Sequence, residues 1–246
     1  MDRMIYTAMS GAKHILEQQA TTAHNLANAT STGFKAQVDS FRAVPIVSEG
    51  LPTRAFVIDT TVATDFTPGT IIGTSRDLDI AIQGRGWISV QRLDGSEAYT
   101  RNGSLKVNEN GILQTADGLT VLGDGGPITI PPDERIAIGK DGTVSTVSRV
   151  TVPSPTNIVG RIKLVNPDES TLVRGTDGLF STQNGQPAQA DANIQVTSGA
   201  LEGSNVNVVD AMVNMISLAR QFETQMKLLE NAENNANKAG QLFSLG

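Results

Sequence analysis

The side chains that could carry acid–base or metal chemistry are few in this chain and lie far apart. The two histidines, His14 and His24, are ten residues apart on one predicted helix, too far to bind the same metal ion. Asp77 and Asp79 could suggest paired catalytic carboxylates, but alternation along the predicted strand places both on its solvent face. The absence of cysteine excludes thiolate metal sites, a cysteine nucleophile and a disulfide framework. We therefore predict no catalytic residue, no metal ligand and no enzymatic activity.

Two glycine-rich stretches could suggest a nucleotide or cation site, but neither has the full pattern. Residues 84–87 read Gly-Arg-Gly-Trp, without the third glycine and the following helix of a dinucleotide loop. Residues 123–126 read Gly-Asp-Gly-Gly and supply too few oxygen ligands for calcium. We predict turns at both places and no cofactor.

Composition and charge exclude several classes of function. The 246 residues suit one large domain or two modest ones. The net charge of −6 argues against general nucleic-acid binding, which requires a basic surface. The chain has no run of 18 apolar residues, so we expect no membrane insertion. The first residues lack the pattern of a secretory signal, so any export is expected to use a route without a cleaved signal peptide.

Apolar residues repeat with helical spacing at both ends of the chain. Intervals of four and three residues alternate in each row, and polar Gln19 is a member of the first. The N-terminal row comprises Ile5, Met9, Ala12, Leu16, Ala23 and Leu26. The C-terminal row comprises Val208, Met212, Met215, Ala219, Phe222, Met226 and Leu229. This spacing is typical of a coiled-coil seam, so each end predicts a long helix.

The two terminal helices leave two interpretations open. A helix of about 25 residues, roughly 37 Å long, cannot bury its seam alone, so the two ends are expected to pair. In the first interpretation they form a helical hairpin inside a monomer. In the second they form an assembly stalk whose remaining apolar surface packs against identical or related chains. Apolar residues beside the seams favour assembly because they widen the apolar face: Ile15, Val213, Ile216, Leu218 and Leu228.

The middle of the chain has the pattern of an antiparallel β domain. Asp-Gly and Asn-Gly pairs recur there with short β-branched runs between them, and these pairs are strong hairpin signals. We predict an α+β fold in which long N- and C-terminal helices pair as an α-helical coiled-coil stalk, with an antiparallel all-β domain inserted between them. The predicted boundaries are 1–34 and 204–246 for the terminal helical assembly domain, 35–75 and 186–203 for an extended connector, and 76–185 for the β domain.

The stretch HNLANATSTGFK, residues 24–35, is the most distinctive short segment. Asn25 and Asn28 lie on one helical face near the predicted helix end, where their amides can bond free backbone groups or reach a neighbouring helix. Gly33 supplies a left-handed turn that can stop a helix. Phe34 is predicted to pack just after this turn, and Lys35 to meet the negative end of the helix. Good capping explains the residue types but not why so many of them occur together.

This stretch resembles the N-terminal signature of the flagellar rod and hook protein family, N-L-A-N-x-x-T-x-G-F-K, with Ser31 in place of the threonine. Residues 99–123 resemble the β-domain motif of the same family, with Leu105 and Asn108 in place of its phenylalanine and aspartate. Residues 199–229 resemble the C-terminal helix of the family. The resemblance therefore covers both ends and the centre of the chain.

The resemblance implies a structural subunit of the bacterial flagellar basal-body rod, the drive shaft that transmits torque across the periplasm. It implies self-assembly through the terminal helices, with other proximal and distal rod proteins and further copies of the chain as partners. It also implies passage through the flagellar type III export apparatus and a final place in the periplasm, close to peptidoglycan. Within the family a proximal-rod subunit is favoured, and a distal-rod subunit is the alternative. Outside the family, the alternative is a peptidoglycan- or surface-binding β module.

Overall fold

A computed structural model describes residues 2–45, 55–132, 134–148 and 156–244 of the chain. Residues 46–54 of the predicted connector and the side chain of Ile5 lie outside the described residues. The fold is α+β, as predicted, with one helix near each end and mostly antiparallel strands between them. Two compact units can be distinguished. The helical unit comprises Met1–Ala29, Ala36–Asp65 and Val206–Gly246, and the β unit comprises Thr30–Lys35 and Phe66–Asn205.

Two long helices dominate the helical unit. They are α1, Asp2–Ala27, and α2, Val208–Ser244, and they contact each other. A Cβ added at Gly11 of α1 would lie 3.6 Å from Cδ of Gln225 in α2, so the helices approach closely at this point. Asn207 caps the start of α2, because its Oδ1 accepts a backbone N–H of the first turn at 3.0 Å. Neither helix has, within its described residues, the length and apolar content needed to cross a membrane.

Residues 36–65, which the sequence assigned to an extended connector, contain a β-hairpin that belongs to the helical unit. Its strands are β1, Gln37–Pro45, and β2, Ala55–Thr64, and they pair antiparallel. Both strands are extended, as the β-branched residues of this segment favour. The hairpin contacts α1, where the hydroxyl of Thr21 donates to Asp39 at 2.9 Å. This part of the predicted connector is therefore a paired element of the helical unit.

The β unit is built from short strands that pair antiparallel. In chain order the strands are β3 Ile71–Gly73, β4 Ile80–Gln83, β5 Trp87–Gln91, β6 Glu97–Thr100, β7 Leu105–Val107, β8 Leu113–Thr115, β9 Thr120–Gly123, β10 Gly126–Pro127, β11 Glu134–Ile138, β12 Thr143–Ser148, β13 Thr156–Arg161, β14 Leu164–Val165, β15 Leu172–Arg174, β16 Phe180–Thr182, β17 Gln195–Ser198 and β18 Ala200–Glu202. The largest sheet has the order β15-β16-β6-β5-β9-β8-β7, with β10 beside β9 and β14 beside β5. A second sheet has the order β11-β12-β13, and two pairs complete the unit, β17 with β4 and β18 with β3.

The strands of the β unit bury an aliphatic core and a smaller aromatic cluster. Ile80, Val90, Leu105 and Val121 are fully buried members of the core. The aromatic cluster includes Trp87, Tyr99 and Phe180, and the ring centroids of Trp87 and Phe180 lie 4.6 Å apart. The aromatic cluster is separate from the aliphatic core, which fills the larger part of the interior of the β unit.

The β unit is wider than the predicted β domain of residues 76–185, and this difference can be tested with fragments. Strands β17 and β18 lie beyond residue 185, and β17 supplies the partner of β4 and the buried Val196. We expect a fragment of residues 66–205 to melt in one cooperative transition, followed by circular dichroism. A fragment of 76–185 should lack that transition because β4 loses its partner and the core loses side chains. Equal melting temperatures for the two fragments would contradict this assignment.

Candidate assembly site

The apolar row predicted on α1 is only partly covered within the chain. Ala12 is buried and Leu26 is half-buried, but Met9 and Leu16 leave 56% and 50% of their surface exposed. Ala23 is also exposed. Ile15, which lies beside the predicted row, is buried. The covered stripe of α1 is thus displaced by about one position from the predicted row, and apolar side chains remain in solvent.

The same displacement occurs on α2. Met215, Ala219, Phe222 and Leu229 of the predicted row are half-buried, and Val208, Met212 and Met226 are exposed. The most deeply buried residues of α2 are Ala211 and Leu218, beside the row. Val213, Ile216 and Leu228 are exposed as well. One helix can cover only part of an apolar face this broad, so the α1–α2 contact leaves a second apolar surface on α2 uncovered.

A shallow depression of about 320 Å³ lies on this uncovered side of α2. Val213 and Ile216 supply its apolar lining, and Ser217, Arg220 and Thr224 supply polar groups. An apolar centre with polar groups around it is the usual make-up of a protein–protein contact. The depression therefore has the composition expected of a surface that receives another helix.

The two signature asparagines organise the end of α1. Asn28 donates to the backbone oxygen of His24 through both its amide side chain, at 2.9 Å, and its backbone N–H, at 3.2 Å. Asn25 bonds the backbone of Gln37 twice: its Nδ2 donates to the oxygen at 2.8 Å, and its Oδ1 accepts the N–H at 2.9 Å. Because Gln37 begins β1, Asn25 ties the hairpin to the end of the helix. The predicted bonding of these amides to backbone groups is confirmed.

Gly33 belongs to the signature loop, defined here as residues 30–35, which clusters with the β unit. Its φ of +68° confirms the predicted left-handed conformation. Since α1 already ends at Ala27, Gly33 does not stop the helix, and that part of the prediction was wrong. Instead its N–H donates to the backbone oxygen of Glu202 at 2.7 Å. The left-handed turn thus serves to place the loop against β18.

Phe34 packs into the β unit, as the sequence predicted. It is buried, and the guanidinium of Arg174 lies 4.6 Å from the centroid of its ring. Arg174 also donates to the backbone oxygen of Lys35 at 3.0 Å, and the N–H of Asn205 donates to the oxygen of Phe34 at 3.4 Å. Burial lowers the pKa of the Arg174 guanidinium below its usual value. The cation–π contact therefore joins a half-buried guanidinium to a buried ring.

Lys35 is part of a buried ion network, and the prediction that it meets a helix end was wrong. Its side chain is only 1% exposed, and its Nζ donates to Glu202 Oε1 at 2.7 Å and to the backbone oxygen of Thr67 at 2.8 Å. The other carboxylate oxygen of Glu202 accepts Nη1 of Arg101 at 2.8 Å. Burial lowers the pKa of Arg101, and the nearby Glu202 carboxylate opposes this shift. The single carboxylate of Glu202 thus forms ion pairs with two buried cations.

Glu202, Arg101 and Arg174 are the residues of this site that sequence reasoning missed. A signal was present for two of them, because Arg101 lies in the motif at 99–123 and Glu202 in the motif at 199–229. Arg101 directly follows strand β6, and Glu202 is the last residue of β18. What the sequence alone does not give is that these motifs and the signature loop meet in space.

The histidine and aspartate side chains that could carry acid–base or metal chemistry each have a separate environment. His14 contacts Glu17 at 3.0 Å, and Asp77 contacts Arg135 at 3.0 Å. Asp79 does not face solvent as predicted, because it is 3% exposed and takes part in a bridge to Ser104 at the start of β4. Among the described residues, no three histidine, aspartate or glutamate side chains are grouped as metal ligands.

Known protein families match the chain at both ends and in the middle. The family described as "Flagella basal body rod protein" matches residues 5–35. "Flagellar hook protein FlgE/F/G D1 domain" matches residues 81–146, and "Flagellar basal body rod FlgEFG protein C-terminal" matches residues 197–242. The chain therefore belongs to the flagellar basal-body rod protein family.

Within this family the chain is similar over its full length to FlgF proteins. It is 48% identical to the flagellar basal-body rod protein FlgF of Escherichia coli (strain K12), with 100% of both chains covered. It is 46% identical to FlgF of Salmonella typhimurium, again over 100% of both chains. Identity to the flagellar basal-body rod protein FlgG of Bacillus subtilis (strain 168) is 31%, over 95% of this chain and 96% of that one. The predicted function, an FlgF-like structural subunit of the flagellar basal-body rod, is confirmed, and the FlgG-like alternative is less supported.

Proposed function

We propose that the chain is a proximal-rod subunit that assembles through α1 and α2 with copies of itself and with other proximal and distal rod proteins. The observation that supports this most is the apolar surface left uncovered on α2. Met212, Val213 and Ile216 each leave half or more of their surface exposed, although α2 already contacts α1. Such a row of exposed apolar residues on one helix favours a further helical partner.

In this proposal the two helices of one chain form only part of a larger coiled-coil bundle. The residues with 4-3 spacing that remain exposed, such as Met9, Leu16 and Met226, would be covered by helices of neighbouring subunits. The β unit, which includes the signature loop, is a separate compact unit of the same subunit. The function is structural and not enzymatic.

Location and export form a second part of the proposal. The subunit passes through the flagellar type III export apparatus without a cleaved signal peptide and assembles in the periplasm, close to peptidoglycan. The absence of cysteine is compatible with an oxidising compartment such as the periplasm, because a chain without thiols cannot form wrong disulfides there.

Replacing Ile216 with glutamate tests the proposed assembly surface. Ile216 is 56% exposed, so the isolated chain should keep its fold and its melting temperature. In the rod the new carboxylate would be buried without a partner, and we expect incorporation to fall about a hundredfold or more. The measurement is the number of complete basal bodies in bacteria that carry the variant, counted by electron microscopy, together with swimming in soft agar.

The matched control is Asn214→Glu, which adds the same charge at another exposed position of α2. Export of both variants is checked in the periplasmic fraction, so that loss of assembly is separated from loss of secretion. If the Ile216→Glu subunit enters rods as efficiently as the Asn214→Glu subunit, this face of α2 is not an assembly surface.

The peptidoglycan-binding alternative would use a cleft of about 360 Å³ in the β unit, lined by both polar and apolar residues. Glu97, Asp124 and Lys163 line this cleft. The ammonium of Lys163 lies 2.8 Å from both carboxylate oxygens of Glu97, so these two charges already satisfy each other. The cleft gives the alternative less support than the exposed helix face gives assembly.

A further inference from the structure

The carboxylate of Glu202 is held in place by residues of the β unit other than Lys35. Glu202 lies in β18, which pairs with β3, and its side chain is 2% exposed. Its Oε2 accepts Nη1 of Arg101 at 2.8 Å, and its Oε1 accepts the N–H of Gly69 at 3.0 Å. Arg101 is fixed in turn by donating to the backbone oxygen of Gly84 at 2.5 Å. The carboxylate thus keeps two partners, Arg101 and Gly69, that lie outside the signature loop.

Lys35 completes this arrangement from a distant part of the sequence. Its ammonium lies between Glu202 Oε1 and the oxygen of Thr67, 167 and 32 residues away along the chain. We call this pair of acceptors, together with Arg101 and Gly69 behind it, the ammonium socket. The socket offers a full negative charge and a carbonyl dipole to one primary ammonium group, with water excluded.

We propose that the signature loop is a docking element that inserts Lys35 into a preformed ammonium socket and can leave it without unfolding the β unit. Docking fixes the point at which the chain enters the β unit after α1. The ligand class of the socket is a primary alkylammonium, which here is supplied by the chain itself.

The charge balance of the network distinguishes Lys35 from the other two members. When Lys35 leaves, Arg101 and Glu202 remain as a balanced pair. When Glu202 is removed, Lys35 and Arg101 lose the carboxylate that they share, and the network keeps two positive charges. Lys35 is therefore the member whose departure the β unit tolerates, as a detachable element requires.

Two backbone hydrogen bonds report directly on docking. The N–H of Gly33 donates to the oxygen of Glu202 at 2.7 Å, and the N–H of Asn205 donates to the oxygen of Phe34 at 3.4 Å. Both bonds join the loop to the remainder of the β unit, so both break when the loop leaves. Val90 and Val121 are paired across β5 and β9 of the largest sheet, so exchange at their amides reports on unfolding of the β unit itself.

Hydrogen exchange of the full-length Lys35→Met variant tests the proposal. We expect exchange at the amides of Gly33 and Asn205 to become about a hundredfold faster, while Val90 and Val121 exchange as in the unmodified chain. The control is Lys163→Met, which removes a similarly paired lysine whose partner, Glu97, is outside the loop. Unchanged exchange at Gly33, or equal acceleration at all four amides, would overturn the proposal.

Chemical rescue tests the ligand class. The Lys35→Ala variant lacks the three methylenes and the ammonium that n-propylammonium supplies. Added n-propylammonium should slow exchange at Gly33 again, whereas tetramethylammonium, which has no N–H donor, should not. Equal effects of the two cations, or no effect of either, would show that the site does not recognise a primary ammonium.

Discussion

Replacing Glu202 with glutamine is expected to lower the free energy of unfolding by about 3–5 kcal/mol, because two buried cations lose the carboxylate that they share. Lys35 and Arg101 both contact this carboxylate, at 2.7 and 2.8 Å. Glutamine has nearly the same shape, so packing is kept and the lost charge dominates the effect. For a chain of this size the melting temperature should fall by roughly 6–20 °C. Denaturant and thermal unfolding of the purified chain measure both quantities.

The control for this prediction is Glu97→Gln, in the Lys163–Glu97 pair. That pair has the same 2.8 Å separation, but its side chains are 17% and 12% exposed, so water can reach the charges. We expect a loss of about 1 kcal/mol there. If the two variants are destabilised equally, the burial of the charges around Glu202 does not determine how much they contribute to the free energy of unfolding.

A double variant separates lost hydrogen bonds from unbalanced charge. Adding Lys35→Met to Glu202→Gln removes one of the two cations that have lost the shared carboxylate, so the double variant should be more stable than Glu202→Gln alone. If each substitution only removed hydrogen bonds and the losses added, the double variant would instead be less stable than Glu202→Gln alone. The sign of this difference therefore shows whether excess positive charge is the main cost.

The sequence predicted the two helices well but not which of their residues face each other. On α1, the predicted row through Met9, Ala12 and Leu16 and the covered stripe through Ala12 and Ile15 share a residue and differ by one position. Both have the spacing of a helical face, so periodicity cannot choose between them. The choice depends on the partner surface, here α2 and the hairpin of β1 and β2. An apolar face wide enough to contain both stripes is itself the sign of more than one partner.

The ion network could not be read from the sequence for a different reason. Helices and hairpins leave periodic or local signals, whereas Lys35 and Glu202 are 167 residues apart and meet only through tertiary structure. The family motifs marked all three segments that meet there. Local reasoning about glycine near a helix end predicted the left-handed conformation of Gly33. Assigning Lys35 to the helix end was the natural local choice, since local reasoning considers only partners near in sequence. The prediction failed because tertiary contact supplied a stronger partner.

The second large effect is expected at Gly33, where valine should prevent the signature loop from docking. A left-handed φ of +68° is strained for any residue with a Cβ. A Cβ at this position would also lie 2.3 Å from the carbonyl carbon of Arg101 and 2.4 Å from the N of Asn102, and backbone atoms cannot move aside as a side chain can. Together these terms should cost about 2–5 kcal/mol in the docked loop. We expect bacteria with this variant to lose swimming in soft agar.

A second glycine separates conformational strain from this steric overlap. Gly95 has a similar left-handed φ of +86°, but a Cβ there would meet no atom within 4 Å. Gly33→Ala and Gly95→Ala therefore introduce the same methyl group and comparable strain, and only the first forces the loop away from Arg101. We expect Gly95→Ala bacteria to swim normally, and Gly33→Ala to raise hydrogen exchange at Asn205 and reduce swimming. If Gly33→Val bacteria swim as well as the unmodified strain, close contact of this turn with the β unit is not required for a working rod.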